Sequence, residues 1–158
     1  MFREMLRKKQ ELPAEECIEI LVKEPRGVLS VLGDDDYPYG MPMNHYYNEE
    51  DGCLYFHGAR IGHKIDAFKK YDKASFCVYD EGFRQEGEWF LRIRSVIAFG
   101  RIEIVEDKET MCDIVRKLSY KFTSDDSYID EEIRSSLKGT LVFRLRIEHL
   151  TGKIGTEK

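Results

Sequence analysis

Apolar and polar residues recur along this chain with two periods, and the changes between them mark its elements. Residues 140–148 carry the clearest strand. There Leu141, Phe143, Leu145 and Ile147 alternate with Val142, Arg144, Arg146 and Glu148, so one face is buried and the other largely polar. Residues 28–32 form a short apolar run bounded by glycines, which reads as a buried strand. Strands are also predicted over residues 53–57 and 74–79, and a long β-rich stretch over 89–105 in which Gly100 marks a bend or bulge. In residues 37–47 the aromatics and methionines favour a strand with Tyr39, Met41, Met43, His45 and Tyr47 on one face. Pro38 and Pro42 limit ladder pairing, so that strand belongs at an edge or carries a bulge.

Helical spacing appears in four places. Pro13 opens a helix with an apolar stripe of Cys17, Ile18, Leu21 and Val22, closed by Pro25 and Gly27. Ile65 and Phe68 share one side of a second, short helix. Asp107 is a suitable N-cap for a third, with the stripe Met111, Ile114, Val115, Leu118 and Phe122. A short fourth helix is predicted over residues 130–137, after a loop at 123–128. Turns fall at 33–36 and 48–52, and a polar loop at 80–88. Six strands joined mostly by hairpin-length turns predict an antiparallel barrel or sheet with peripheral helices. This is no βαβ array, which argues against a Rossmann cofactor site.

Composition narrows the function classes. At 158 residues and 42% apolar content, one domain spanning 1–158 with a proper core is expected. A net charge of -5 argues against a general binder of nucleic acid or anionic membrane, while leaving room for a local basic pocket. No apolar run approaches the roughly 18 residues of a membrane span. Residues 1–11 are charged and lack the apolar segment of a secretory leader, so a cytoplasmic location is expected. Cys17, Cys53, Cys77 and Cys112 form no CxxC pair and sit among apolar residues, as reduced, buried thiols do. Neither a Ser-His-Asp signature nor a cluster with metal-ligand spacing is present.

The stretch that carries candidate chemistry is residues 54–68. An apolar strand runs into a loop holding Gly58, Arg60, Gly62, His63 and Lys64, and the loop opens the helix of Ile65 and Phe68. A helix N-terminus presents unpaired N–H groups and partial positive charge, and basic residues there fit an anion held among them. The same residues also fit an ordinary strand-loop-helix connection with solvated side chains.

Several blocks together resemble a known family. Met5 to Leu12, the Tyr37-Pro38-Tyr39-Gly40-Met41-Pro42-Met43-Asn44 run, the run from Tyr55 to Lys64, Ser95 to Gly100 and Ile147 to Lys153 are similar to the FMN-binding split-barrel proteins related to pyridoxamine 5'-phosphate oxidase, above all to their nitroimidazole-resistance (Nim-type) branch. Leu6 and Gln10 stand where that branch has arginines. The resemblance implies a mainly β fold, a six-stranded antiparallel split β-barrel with peripheral α-helices, paired as a homodimer with FMN at the subunit interfaces. It implies phosphate binding by the backbone from Gly58 through Ala59 to Gly62 and by Lys64, with Arg60 and His63 beside them. It places Met43, Asn44 and His45 along the flavin ring, His57 and Gly58 against the ribityl chain or ring, Ser95 and Val96 near the cofactor, and Trp89 and Arg94 as contacts from the partner subunit.

The reaction so implied is reduction of FMN by a nicotinamide cofactor, NAD(P)H, and hydride transfer to a small acceptor such as a nitro-aromatic, with His45 or His57 as proton donor. Pyridoxamine phosphate oxidation itself is not expected, because no arginine follows Arg146 to complete a second phosphate site. Two alternatives stand beside the enzyme. One is a flavin- or haem-binding module without turnover, with His45, His57, His63 or His149 available as haem ligands. The other is an interaction protein with a vestigial pocket.

Overall fold

The computed structural model describes residues 1–157. Its strands form one sheet in which every pair is antiparallel. In chain order the elements are α1 (Ala14–Lys23), β1 (Arg26–Leu32), β2 (Pro38–Asn44), β3 (Tyr46–Asn48), β4 (Cys53–Ala59), α2 (His63–Lys70), β5 (Lys73–Tyr79), β6 (Leu91–Val105), α3 (Lys108–Ser119), α4 (Asp126–Ser136) and β7 (Thr140–Glu157). The sheet order is β2-β1-β5-β6-β7-β4-β3, and the sheet curls as a split barrel.

Seven strands are present among the described residues rather than the expected six. The run 37–47 is the source of the extra one. It breaks at His45, and its two halves become the opposite edges of the sheet. His45 leaves the ladder because its N–H bonds to the Pro25 carbonyl at 3.4 Å while its side chain turns into the core. The expected shared face survives the break: Met41 and His45 are buried, and Tyr39, Met43 and Tyr47 pack on the same core. The edge position inferred from Pro38 and Pro42 is also observed.

β7 runs nine residues beyond its expected end at Glu148, to Glu157, because the first half of β6 pairs with it from Leu91↔Glu157 to Phe99↔His149. The bulge predicted at Gly100 lies between Phe99 and Gly100. Here β6 comes so close to β7 that a Cβ on Gly100 would stand 2.1 Å from the Arg146 carbonyl oxygen. α4 starts at Asp126, earlier than periodicity placed it, since the Asp125 side chain caps it by accepting the Tyr128 N–H at 3.1 Å. Asp107 caps α3 as expected, accepting the Thr110 N–H at 2.8 Å. Phe122 lies past the end of α3 and is exposed.

Burial follows the pleat. Leu29, Phe56, Phe76, Val96, Phe143 and Leu145 fill the inside of the curl, and α1 and α2 close it with Ile20, Leu21, Ile65 and Phe68. α3 covers the outside of β4 and β7 through Met111 and Ile114 against Tyr55 and Val142. The outer face of β1, β5 and the first half of β6 has no such cover: Val28, Tyr79 and Ile97 are exposed on it. At its margin Phe2 stacks on His149, with ring centroids 4.6 Å apart, and leans on Phe99. No helix among the described residues is long and apolar enough to cross a membrane.

Candidate functional site

β4 delivers the candidate site. Its residues Cys53, Leu54, Tyr55 and Phe56 are buried, and exposure begins at His57. The strand therefore anchors the loop that follows on both of its faces. Gly62 ends that loop with φ +131, a conformation L side chains rarely adopt, and a Cβ there would meet nothing within 4 Å. The next residue starts α2. No side chain caps this helix, and the Gly62 carbonyl accepts from Ile65 and Asp66. The N–H groups of His63 and Lys64 have no acceptor among the described residues, as the geometry of a first turn requires.

Lys64 folds back over Gly58. A Cβ on Gly58 would lie 3.2 Å from both Cε and Nζ of Lys64. The ammonium thus stands over bare backbone, with no hydrogen-bond or ion-pair partner among the described residues. His57 is next to it. Partial desolvation of its ring at this exposed strand end, and then the nearby Lys64 charge, lower its pKa from the ordinary histidine value. Glycines at two points, an uncapped helix start and one ammonium make a cradle suited to a phosphate ester, the donor set that a flavin nucleotide requires. Lys64, Gly58 and Gly62 would hold the phosphate.

The other two basic residues of the loop are engaged elsewhere. The His63 ring stacks on Tyr39 with centroids 4.2 Å apart, and its Nε2 accepts the Asp34 N–H at 3.3 Å. Arg60 donates from Nε to the Lys138 carbonyl at 2.7 Å. Sequence reasoning had no means of finding Tyr39, Asp34 or Lys138, because each contact joins segments far apart in the chain.

The expected ring-side residues divide. Asn44 is exposed at the end of β2 and accepts from Arg26 Nε at 3.1 Å, while Met43 points inward and packs on the core. His45 is fully enclosed. Its Nε2 lies 2.7 Å from the Leu21 carbonyl oxygen and its ring meets Phe76 edge-on. Burial, together with the Lys121 ammonium, lowers its pKa to about 3. The role of proton donor expected for His45 is therefore revised: the ring is inside the core and its Nε2 proton is held by the Leu21 carbonyl oxygen.

Ser95 is on the outer face of β6, between Tyr79 and Lys153, but Val96 faces the core and offers the outside only its backbone. Arg94 is committed. Its Nε donates to Asp80 Oδ2 at 2.8 Å, and its guanidinium covers the Phe83 ring. Burial pushes the Asp80 pKa up, but the Arg94 side chain and the N–H groups of Arg94 and Gly82 outweigh it and set the net shift downward. Trp89, just before β6, is 75% exposed.

Two groups of residues thus result. His57 is paired with Val142 and Ser95 with Lys153, at opposite ends of β7. One chain does not bring the phosphate cradle and the Ser95–Trp89 region together. Of the histidines considered as haem ligands, His149 stacks on Phe2 and meets Phe99 at a tilt, His45 is enclosed and His63 is stacked on Tyr39. Among the described residues no group of three or more His, Cys, Asp or Glu side chains could hold a metal ion.

A curled antiparallel sheet of this order, with a glycine-punctuated connection between β4 and α2, defines the class of split barrels. The chain belongs to the pyridoxamine 5'-phosphate oxidase family, whose pattern it matches over residues 13–154. Solved structures share the fold. A proposed 5-nitroimidazole antibiotic resistance protein from Bacteroides thetaiotaomicron is 21% identical, with 92% of this chain and 87% of that chain covered and a TM-score of 0.76. An FAD-binding protein from Mesorhizobium loti is 23% identical, with 92% and 97% covered and a TM-score of 0.64. An FAD- and haem-binding protein from Mycobacterium smegmatis is 21% identical, with 93% and 73% covered and a TM-score of 0.73. No curated protein matches the chain.

Proposed function

We propose that this chain is a flavin-nucleotide-dependent oxidoreductase that works as a homodimer, taking electrons from NAD(P)H and passing them to a small acceptor such as a nitro-aromatic. The observation that carries the reading is the Lys64 ammonium held over Gly58 beside the uncapped start of α2. Family membership and the flavin-binding proteins of the same fold support it.

When bound, the flavin supplies the hydride chemistry, and the protein supplies position and electrostatics. Lys64 and the N–H groups of His63 and Lys64 balance the phosphate charge. His63, pinned by Tyr39 and Asp34, fixes the start of α2 so that those donors stay aimed. His57, its pKa lowered by desolvation and the Lys64 charge, offers a hydrogen bond. The separation of the two residue groups supports the dimer: on this reading a cofactor touching both the cradle and the Ser95–Trp89 region takes them from two chains. The uncovered outer face of β1, β5 and β6 is the surface that supports such a pairing, with Trp89 at hand for the partner's site.

A binding module without turnover is the second reading. It is favoured by the enclosure of His45, which removes one of the two candidate proton donors. The test is spectroscopic. Purified protein should show the visible absorption of bound flavin, and NADPH under anaerobic conditions should bleach it, with colour returning when a nitro-aromatic is added. Bound flavin that NADPH does not bleach would leave only the binding module, and a Soret band would point to haem. A colourless protein that ignores added FMN would end the flavin reading.

A further inference from the structure

Residues 1–6 cross the margin of the uncovered sheet face and enclose a hollow beneath them. Its cavity volume is about 540 Å³, inside the range of roughly 300–1,000 Å³ common to small-molecule sites. Ile97, Phe99, His149 and Thr151 of β6 and β7 floor it, and Phe2 and Leu6 cover it. Ile97 pairs with Thr151 and Phe99 with His149, while Val96 and Ala98 between them face the core, so all four floor residues stand on the outer face. The floor is apolar and aromatic apart from Thr151 and the His149 ring. That ring lies parallel to Phe2, with 7° between the planes and centroids 4.6 Å apart. Its Nε2 is shut off from solvent and has no hydrogen-bond partner among the described residues. A polar atom buried in this way is an uncommon feature of a folded protein and asks for a partner.

The cover is lightly attached. The chain joins the sheet only at Glu11 and Leu12, where Glu11 bridges to Lys153 and the Leu12 N–H donates to the Gly152 carbonyl at 2.9 Å. No hydrogen bond or ion pair among the described residues ties residues 1–6 to a strand, and Glu4 pairs with Lys8 rather than with the sheet. The Phe2 ring is what rests on it, and Phe2 is still 42% exposed. We infer that Phe2 is an exchangeable plug and that the hollow is the site of the electron acceptor. A flat ring bearing a nitro or quinone oxygen takes the place of Phe2, stacks on His149 and accepts a hydrogen bond from Nε2 through that oxygen. This assignment rests on the oxidoreductase reading above. The His149 face with Ile97 and Phe99 selects a flat, apolar body, and the lone ring nitrogen selects an oxygen at its edge. Ile97 is two residues from Ser95 on the same face of β6, about 7 Å along the strand. A ligand here therefore adjoins the Ser95 region to which that reading brings the cofactor.

Nitrobenzene and toluene are the probes, each titrated into the purified full chain without NADPH and followed by NMR of the histidine ring protons. Nitrobenzene should move the His149 signals, leave those of the enclosed His45 in place, and bind about 2- to 10-fold more tightly than toluene, the worth of one hydrogen bond. Phe2→Ala should tighten nitrobenzene binding about 3- to 10-fold, since one aromatic stack no longer has to be displaced. The substitution falls in an exposed arm, so the fold should hold. His149→Phe keeps a flat ring, removes the donor, and should abolish the preference for nitrobenzene over toluene. His149 signals unmoved up to the solubility of nitrobenzene would overturn the assignment in the unaltered protein. So would weaker binding in Phe2→Ala, which would make Phe2 a wall of the site, or a nitrobenzene preference that survives His149→Phe. Turnover separates this site from the function proposed above. If the probes behave as expected but NADPH does not bleach bound flavin, the hollow stands as an aromatic-binding site and the oxidoreductase reading fails. If NADPH-driven nitro reduction keeps the same KM for the acceptor in Phe2→Ala and His149→Phe, that reading stands and the hollow is not its acceptor site.

Discussion

His45 Nε2 lies 2.7 Å from the carbonyl oxygen of Leu21, and this bond replaces one the helix cannot make. In the last turn of α1 the Leu21 carbonyl faces the position where residue 25 would donate, but residue 25 is proline and has no N–H. The buried imidazole supplies the missing donor. Pro25 in turn accepts the His45 N–H, so each residue meets the other segment's need.

This arrangement makes stability depend on acid. The folded His45 has a pKa of about 3 against an ordinary 6.5, so the unfolded chain takes up a proton that the native ring refuses. The contribution is fully present above pH 6.5 and declines as pH falls toward 3, by up to about 1.4 kcal/mol per pH unit. Urea unfolding between neutral and acid pH should show this slope. His45→Leu should lower stability at pH 7 by about 1–3 kcal/mol and flatten the slope.

Lys121 ties down the same junction. Its Nζ donates to the Glu24 carbonyl at 2.7 Å and to the His45 carbonyl at 2.8 Å, and burial lowers its pKa to about 8. Lys121→Met keeps the stem but leaves both carbonyls without that donor. A loss of about 1–3 kcal/mol in chemical denaturation is expected. An unchanged midpoint would show that water replaces the ammonium at no cost.

Gly100 should tolerate no side chain. In Gly100→Ala the new methyl would face the Arg146 carbonyl across 2.1 Å, and the obstacle is backbone rather than a movable side chain. Destabilisation of about 3 kcal/mol or more is expected, read as a lowered melting temperature or as insoluble protein. Gly62→Ala should cost less, because only the positive φ opposes it.

Lys64→Ala should weaken flavin affinity about 10- to 100-fold, the worth of one charge-assisted hydrogen bond, with the fold intact. Removing that charge also acts on His57. Its pKa should rise when followed by NMR, yet stay below the ordinary value, since burial is the larger cause of its depression. A His57 titration indifferent to the substitution would place Lys64 away from the ring.

The strands and helices were largely legible in the sequence, and the reasons are local. The alternation of Leu141, Phe143 and Leu145 encodes a one-sided strand, Gly100 encodes a bulge, and Asp107 encodes a cap. The strand, two glycines and helix start that make up the candidate cradle were legible too, within one short stretch. The break at His45 was not. It depends on Pro25, twenty positions earlier, and on the core space beside Phe76, and no periodicity within 37–47 reports either. The second half of β7 was missed because its residues beyond Glu148 lack strict alternation and gain their order from β6. The commitments of Arg94 to Asp80 and of His63 to Tyr39 likewise arise only when distant segments meet.

The break at His45 also decides what the two edges of the sheet offer to a second molecule. A sheet with open edges invites a second molecule to add its own strand, the route to fibres and swapped assemblies. Here one outermost strand, β2, carries Pro38 and Pro42, which cannot donate to an incoming ladder, and the other, β3, is only three residues long. Because one stretch of chain caps both ends of the sheet, strand addition is disfavoured at each. The flat of the sheet is then the surface left for the proposed pairing, where contact is made by side chains and has a definite stopping point.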